Sequence, residues 1–424
     1  MAVPDPRRVV EAIYRIESAK LIARLARIVR DLGLAEELAQ DALVLALEKW
    51  PESGVPDNPG AWLMTTAKNR AINVIHRRKR LERKHEELGR DLEDIEQRDP
   101  EVDLATAIDD DVGDDLLRLI FAACHPALSP EARLALTLRL LGGLTTQEIA
   151  RAFLLPDATI AQRIVRAKRT LADEQTTFEV PSREELPQRL SSVLETVYLI
   201  FNEGYAATAG DDWMRPALCE EALRLGRVLV SLVPEEAEVH GLVALMELHA
   251  SRSPARVSED GESVLLASQN RARWDRLLIR RGLSALERAE SLTADGGRPR
   301  DAYTLQAAIS ACHARAATAA DTDWIAIAIL YGELAVLTGS PIVELNRAVA
   351  VAMAGDPAAG LAILDTLGSD AALTTYHLLP AARGDLLDKL GRRTEARSEF
   401  ERAATLTKNE RERIVLLRRA AACR

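Results

Sequence analysis

The chain has 424 residues, which is long for a single domain at the roughly 100 to 200 residues that a domain usually takes. Hydrophobic residues make up 47% and charged residues 28%, which excludes a wholly disordered chain. Only 4% of residues are aromatic, and Ala, Leu, Arg and Glu are abundant, so we expect an all-α protein rather than an all-β or doubly wound α/β one.

The cysteines and apolar runs give the expected compartment. The four cysteines lie far apart with no Cys-x-x-Cys pair, so we expect no disulfide framework, metal site or cofactor. No apolar run approaches the roughly 20 residues that cross a bilayer, and the N-terminus has no apolar signal core. We therefore expect a cytoplasmic protein without a membrane partner. The formal net charge of −10 is a global sum and hides local patches of charge.

The first three helices are predicted from residue spacing. A stripe of apolar residues predicts a first helix that Gly33 ends: Leu21, Leu25, Ile28 and Leu32. A second helix is expected over about 35–50, where Pro51 stops it. A third is expected over about 59–80, with Pro59 in its first turn. Trp50 and Trp62 are interpreted as core residues rather than stacking platforms.

A basic island lies on and after the third helix. From 68 to 90 there are nine basic residues and three acidic ones. Asn69 and Asn73 are one helical turn apart, and their side-chain amides can hydrogen-bond an unpaired nucleobase. The basic residues can hold the phosphates of an opened strand. The alternative is an ordinary surface helix with capping asparagines. The candidate residues are Asn69, Arg70, Asn73, Arg77, Arg78, Lys79 and Arg80.

The charge then reverses sign. Residues 91–115 contain twelve acidic residues and one base, Arg98, and few large apolar residues. This composition predicts a solvated linker and a domain boundary. The linker is interpreted as a spacer kept soluble by its charge, or as a mimic of nucleic acid that occupies cationic surfaces.

Residues 144–171 predict a helix-turn-helix. Thr145 or Thr146 can cap the first helix together with Gln147 or Glu148, and Pro156 and Asp157 make the break. The second helix is expected to bury Ile160, Ile164 and Ala167 and to present Gln162, Arg163, Arg166 and Arg169. An amide and guanidinium groups suit base edges and phosphates in a major groove. A helical hairpin with a solvated basic face is the alternative.

After Pro181 the chain predicts helical hairpins. Gly and Pro separate apolar segments of helical length, and Gly355 and Gly391 stand at equivalent turns 36 residues apart, near the tetratricopeptide period of 34. An irregular all-helical domain would give the same pattern.

The order of these segments resembles a bacterial RNA polymerase sigma factor of the extracytoplasmic-function (ECF) type over residues 1 to about 175. The resemblance implies sigma region 2 at 1–90, a linker at 91–115 and region 4 at 116–175. The implied partners are core RNA polymerase, through its β′ clamp and β flap, and promoter DNA. The residues implied to contact β′ are Leu38, Gln40, Asp41 and Leu45.

The same resemblance implies two DNA contacts. Asn69 and Asn73 match positions that read the melted −10 element, and the basic residues that follow them belong to the same contact. The positions facing the −35 element are Thr159, Gln162, Arg163 and Arg166, with Lys168 and Arg169 beside them. Two residues depart from the family pattern: Ala161 stands where a polar or basic residue is common, and Val165 where an aromatic is frequent.

Residues 181–424 resemble the partly tetratricopeptide-like extension of a subset of these sigma factors, which implies a fused regulator. Two polar clusters are candidates for a ligand or for contact with the sigma domains, with solvated helix faces as the alternative. Their residues are Asn202, Glu203, Arg271, Arg273 and Arg276. Trp274 is expected in the core.

No catalytic motif is found among phosphate-binding loops, nucleophile elbows or zinc helices, so we do not expect an enzyme. One rival interpretation is a one-component helix-turn-helix regulator whose helical half senses a ligand. Another is a scaffold whose helical repeats bind peptides. Dependence on core polymerase separates these from a sigma factor.

Overall fold

A computed structural model of the chain describes residues 6–87, 112–153, 155–174, 178–182, 184–205, 215–257, 264–370, 373–407 and 410–423. The protein is 79% helical, and the described residues contain no strand, so the predicted all-α fold is confirmed. None of the helices in these ranges is long and apolar enough to span a membrane. The chain divides into two compact units, Met1–Leu232 and Val233–Arg424.

The first unit is built from nine helices in its described ranges. They are α1 (Pro6–Val29), α2 (Leu32–Ser53), α3 (Pro59–Glu87), α4 (Val112–Ala123), α5 (Pro130–Leu140), α6 (Thr146–Phe153), α7 (Asp157–Asp173), α8 (Leu186–Tyr205) and α9 (Pro216–Leu232).

The break between α1 and α2 differs from the sequence prediction. The first helix ends before Arg30, which adopts a positive φ of 51°, and the Asp31 side chain accepts a hydrogen bond from the Leu34 amide at 3.0 Å. An aspartate N-cap starts a helix efficiently. Gly33 therefore lies inside the first turn of α2 instead of ending α1.

The ends of α2 and α3 follow local chemistry. Pro51 does not stop α2, which continues to Ser53 and ends at Gly54, whose φ of 81° favours glycine. The Asn58 side chain accepts a hydrogen bond from the Ala61 amide at 3.0 Å, and Pro59 is the first residue of α3, as expected. Trp50 is buried and meets Trp62 edge to face at 5.3 Å, which confirms Trp50 as a core residue.

Helices α8 and α9 pack on α4 and α5. Arg189 of α8 donates to the Phe121 carbonyl at 2.9 Å, and the Ser192 hydroxyl donates to the Cys124 carbonyl at 2.6 Å. Arg224 of α9 donates to the Leu141 carbonyl at 2.6 Å. The sequence predicts that the extension begins at 181. The structure instead joins these two helices to the first unit, and the division lies between 232 and 233.

The second unit is also helical over its described ranges. Its α-helices are α10 (Ala237–Ala250), α11 (Arg276–Asp295), α12 (Ala302–Arg315), α13 (Trp324–Thr338), α14 (Pro341–Met353), α15 (Pro357–Thr366), α16 (Leu378–Lys389), α17 (Arg393–Leu406) and α18 (Glu410–Ala422).

Consecutive helices from α13 to α18 pack against one another, as in a helical repeat. Gly355 joins α14 to α15 with a φ of 116°, and Gly391 joins α16 to α17 with a φ of 74°. The two glycines therefore occupy corresponding turns, as the 36-residue spacing predicted. Phe400 is fully buried in the apolar cluster that α14–α18 enclose.

Candidate nucleic-acid interface

Helix α6 begins with a reciprocal cap. The Thr145 hydroxyl accepts from the Glu148 amide at 3.1 Å, and the Glu148 carboxylate accepts from the Thr145 amide at 2.8 Å. This capping box fixes the entry into α6, while Ile149 and Ala150 are buried. Pro156 then precedes the first residue of α7, which completes the predicted helix-turn-helix.

Helix α7 has one buried face and one solvent face. Its buried residues are Ile160, Ile164, Ala167 and Leu171. Gln162, Arg166 and Arg169 are exposed, whereas Thr159 and Arg163 are half-buried at the edge. Val165, which is 65% exposed, stands among them, and Ala161 is also exposed. The solvent face thus offers one amide, several guanidinium groups and two small apolar side chains.

Lys168 does not belong to that face. Its ammonium forms an ion pair with Glu36 of α2, and Glu36 is only 5% exposed. Arg139 of α5 donates to the same carboxylate at 2.6 Å, and Gln40 donates to it at 2.8 Å. The resemblance implies that Lys168 lies beside the −35 contacts; in the structure the charge of Glu36 holds its ammonium, which ties α2 to α5 and α7.

The exposed face of α3 contains the first part of the basic island at 68–90. Asn69 and Asn73 are both exposed one turn apart, and Arg77 is exposed one turn further on. Arg70 forms an ion pair with Asp41 of α2 at 2.5 Å. The backbone of α3 includes the rest of the basic run, but the side chains of Arg78, Lys79 and Arg80 lie outside the described residues.

The four residues suggested for polymerase contact on α2 differ in exposure. Asp41 is exposed, and Gln40 and Leu45 are half-buried. Leu38 is only 3% exposed and packs in the core, so its side chain has no surface to offer a partner in this conformation. Among the four, the outward surface of α2 is therefore given by Gln40, Asp41 and Leu45.

Comparison with known proteins agrees with this division of the chain. Residues 13–81 match the family model "Sigma-70 region 2", and residues 118–171 match "Sigma-70, region 4". The chain is 42% identical over 390 residues to an uncharacterized protein of Rhizobium meliloti (strain 1021), covering 92% of this chain and 89% of that relative. The chain belongs to the sigma-70 family.

Helices α1–α3 contain region 2, helices α4–α7 contain region 4, and the protein is an ECF-like sigma factor with a C-terminal extension. Residues 189–290 match a family of unknown function, DUF6596. Proteins of the sigma-70 family are transcription initiation factors rather than enzymes.

The linker of this sigma factor ends in an unexpected buried charge. Residues 88–111 lie outside the described residues, but 112–115 are already helical in α4, and Asp115 is buried. Its carboxylate faces Arg118 at 2.9 Å, Arg27 at 3.3 Å and Arg24 at 3.8 Å. Burial raises the pKa of Asp115 above its ordinary value, and the three arginines oppose that shift. The sequence prediction of a solvated linker is thus wrong at Asp115.

The residues of the two polar clusters divide between internal contacts and solvent. Glu203 forms an ion pair with Arg215, while Asn202 is exposed. Arg271 is buried and donates to the Ala316 carbonyl at 2.8 Å and the Thr322 hydroxyl at 3.0 Å.

Arg271 is one of the regulatory candidates, and its hydrogen bonds hold the end of α12 in place. Arg273 and Arg276 are exposed. Trp274 is buried as expected, with the Arg271 guanidinium 5.0 Å from its ring centroid.

Sequence reasoning missed Glu36, Arg139 and Asp115. Glu36 could have been found, because it falls at helical spacing with Leu32, Ala39 and other buried residues of α2. A charged residue on a buried face needs a partner from elsewhere in the fold. The identity of that partner depends on tertiary contacts that a single sequence does not contain.

Proposed function

We propose that this sigma factor binds core RNA polymerase and directs it to specific promoters, with α7 contacting the −35 element and α3 the −10 element. The main support is that α7 has one buried apolar face and one exposed polar face. Gln162, Arg166 and Arg169 are exposed on the side opposite the apolar face that packs into the first unit. In a helix-turn-helix, this is the side of the second helix that enters the major groove.

The proposed −35 contact rests on the chemistry of that face. Gln162 can donate to and accept from the edge of an adenine, and Arg166 can form two hydrogen bonds with a guanine. Arg169 at the end of the face is suited to a phosphate, with Thr159 and Arg163 at the margin. Lys168 is left out because Glu36 already holds its ammonium.

The proposed −10 contact rests on α3. Two exposed amides one turn apart can hydrogen-bond the Watson–Crick edges of bases in an open strand, and such edges are free only after the duplex is melted. Arg77 and the basic run beyond it would hold the phosphates of that strand. Asp41 orients Arg70 through their ion pair, and Asp41 stands on α2, where the contact with the β′ clamp is proposed.

The remaining proposals concern the rest of the chain. Region 4 would engage the β flap, and the extension would act as a fused regulator, by intramolecular contact with the sigma regions. The support for a regulator is that the chain continues for a whole compact unit beyond the helices that the sigma regions need. The acidic segment is proposed as the connection between the two DNA contacts.

The experiment is footprinting of a promoter by holoenzyme reconstituted from core polymerase and the full chain. We expect Arg166→Ala to abolish protection at −35 and to weaken promoter binding about tenfold or more, since one bidentate base contact is worth roughly 1–3 kcal/mol. The matched control is Arg418→Ala on α18, an exposed arginine of the second unit. Protection at −35 that survives Arg166→Ala would contradict the assignment of this face.

The same footprint separates the main rival. A one-component regulator would protect duplex DNA without core polymerase. We expect the purified chain alone to give no footprint, and a specific footprint from the chain alone would replace the sigma-factor proposal with the regulator.

A further inference from the structure

Helix α13 presents an exposed row of apolar side chains. Ile325 is 65% exposed, Ile329 60% and Val336 90%, although each is a large aliphatic residue. The opposite side of the same helix is buried in the second unit through Ile327 and Leu334. A helix that is apolar on both sides usually has a partner on each.

The exposed row has the spacing of a helix–helix seam. With Gly332, the row runs 325, 329, 332 and 336, in steps of four, three and four residues, as the a and d positions of a coiled coil do. Beside the row lies a groove of about 530 Å³ between α13 and α14, lined in part by Ile325, Ile329 and Val351. The seam is thus shaped to receive another helix.

We propose that α13 is a self-association surface, which pairs antiparallel with α13 of a second copy of this chain across a two-fold axis. A two-fold interface requires that when one position contacts a second, the second contacts the first. Centred between 330 and 331, an antiparallel pair brings Ile329 against Gly332 of the second copy and Ile325 against its Val336. Both contacts then occur twice.

The residue sizes fit this register. Gly332 leaves a gap in the row, because a Cβ added there would meet only the Arg347 side chain, at 3.9 Å. The gap faces Ile329 of the second copy, so a large side chain enters a hole on each side of the axis.

The charges beside the row also fit a second copy. Glu333 is paired with Arg300 at 2.6 Å, and Arg347 with Glu344 at 2.8 Å, so both are compensated within one chain. In the antiparallel register Glu333 lies opposite Ala328. The two α13 helices can therefore meet without placing Glu333 of one copy against Glu333 of the other.

The test is the mass of the full chain by sedimentation equilibrium over a concentration series. We expect a reversible dimer of the wild-type chain with micromolar affinity, since the seam spans only a few helical turns. Ile329→Glu should raise the dissociation constant about a hundredfold or more, because each dimer would bury two unpaired carboxylates.

The Gly332→Leu variant distinguishes specific packing at the seam from non-specific hydrophobic association. It adds apolar surface, yet it fills the hole that receives Ile329, so we expect weaker association by about tenfold. Val415→Glu on α18 is the matched control, because Val415 is also an exposed aliphatic residue, at 51%, and lies outside the seam. It should leave the dimer unchanged.

Several outcomes would overturn the proposal. They are a wild-type chain that stays monomeric up to about 100 μM, a dimer that survives Ile329→Glu, stronger association of Gly332→Leu, or equal disruption by Val415→Glu. Thermal unfolding of each variant verifies that it is folded, and Ile329→Glu changes an already solvated side chain. Promoter binding is measured separately, so this inference can fail while the proposed function stands.

Discussion

Glu36 links region 2 to region 4 within the first unit. It lies on α2 of region 2, and its carboxylate meets Arg139 and Lys168 of region 4. A buried carboxylate with two cationic partners contributes little net stability over an apolar core, but removing it leaves the partners without compensation. A variant that lacks the Glu36 carboxylate is therefore expected to be less stable than the wild-type chain.

We predict that Glu36→Ala destabilises the first unit by about 2–3 kcal/mol. The figure is below that of a fully buried pair because Arg139 and Lys168 remain about a quarter exposed. The loss of stability is measured by urea unfolding of the full chain, from the first unfolding transition. The control is Glu37→Ala at the exposed neighbouring position, expected within about 0.5 kcal/mol of wild type. Equal stability of the two variants would refute this role.

Val165 is the second residue that leads to a prediction. It is 65% exposed in the middle of the proposed −35 face, between Gln162 and Arg166. An exposed aliphatic side chain among polar groups that enter a major groove can pack on the C5 methyl of thymine. The departure from an aromatic at this position would then change the base that is read.

We predict that holoenzyme binds about three- to fivefold more weakly when one thymine of the −35 element is replaced by uracil, the effect of one methyl group. Val165→Ala should remove that difference while the promoter is still bound. Filter binding to promoters with single uracil substitutions measures both. A uracil effect of the same size at the same base in Val165→Ala would show that another residue contacts the methyl.

Helices α8 and α9 pack against the helices of region 4. Their side chains cover the apolar side of α4 and α5, where Val193, Val197 and Leu225 surround Ile120 and Leu141. The buried Arg133 of α5 also finds its partners on α8, in Ser192 and Glu195. Region 4 in this protein is therefore completed by helices that follow it.

A chain that ends at Pro181 should unfold its region 4 or aggregate, because it exposes that apolar side and leaves Arg133 unpaired. A chain that ends at Leu232 should keep a cooperative unfolding transition, since it contains the whole compact unit. Circular dichroism melting and light scattering of the two truncated chains distinguish them. Equal stability of both would mean that α8 and α9 are dispensable for region 4.

The elements also show how far a sequence alone can be read. Local rules predicted the capping box at Thr145 and the buried and exposed sides of α7, because capping and helical spacing act within a few residues. They failed at Gly33, where the Asp31 cap starts α2 earlier. They do not give the partner of Lys168, which pairs with a carboxylate 132 residues earlier in the chain.

At the scale of the whole molecule, the protein consists of a sigma unit and a second helical unit. The segment that matches a family of unknown function, 189–290, begins in the first unit and ends in the second. It therefore includes both the helices that complete region 4 and the first helices of the second unit. A role for the extension in transcription is best tested by cutting between 232 and 233.

Run-off transcription with purified components measures whether this chain gives core RNA polymerase its choice of promoter. Core polymerase is combined with the full chain and a promoter that the holoenzyme protects. We predict a transcript of defined length that needs both the chain and core polymerase, and that is lost in Arg166→Ala but kept in Arg418→Ala. No transcript from the wild-type chain, or the same transcript from core polymerase alone, would show that the chain does not direct promoter choice.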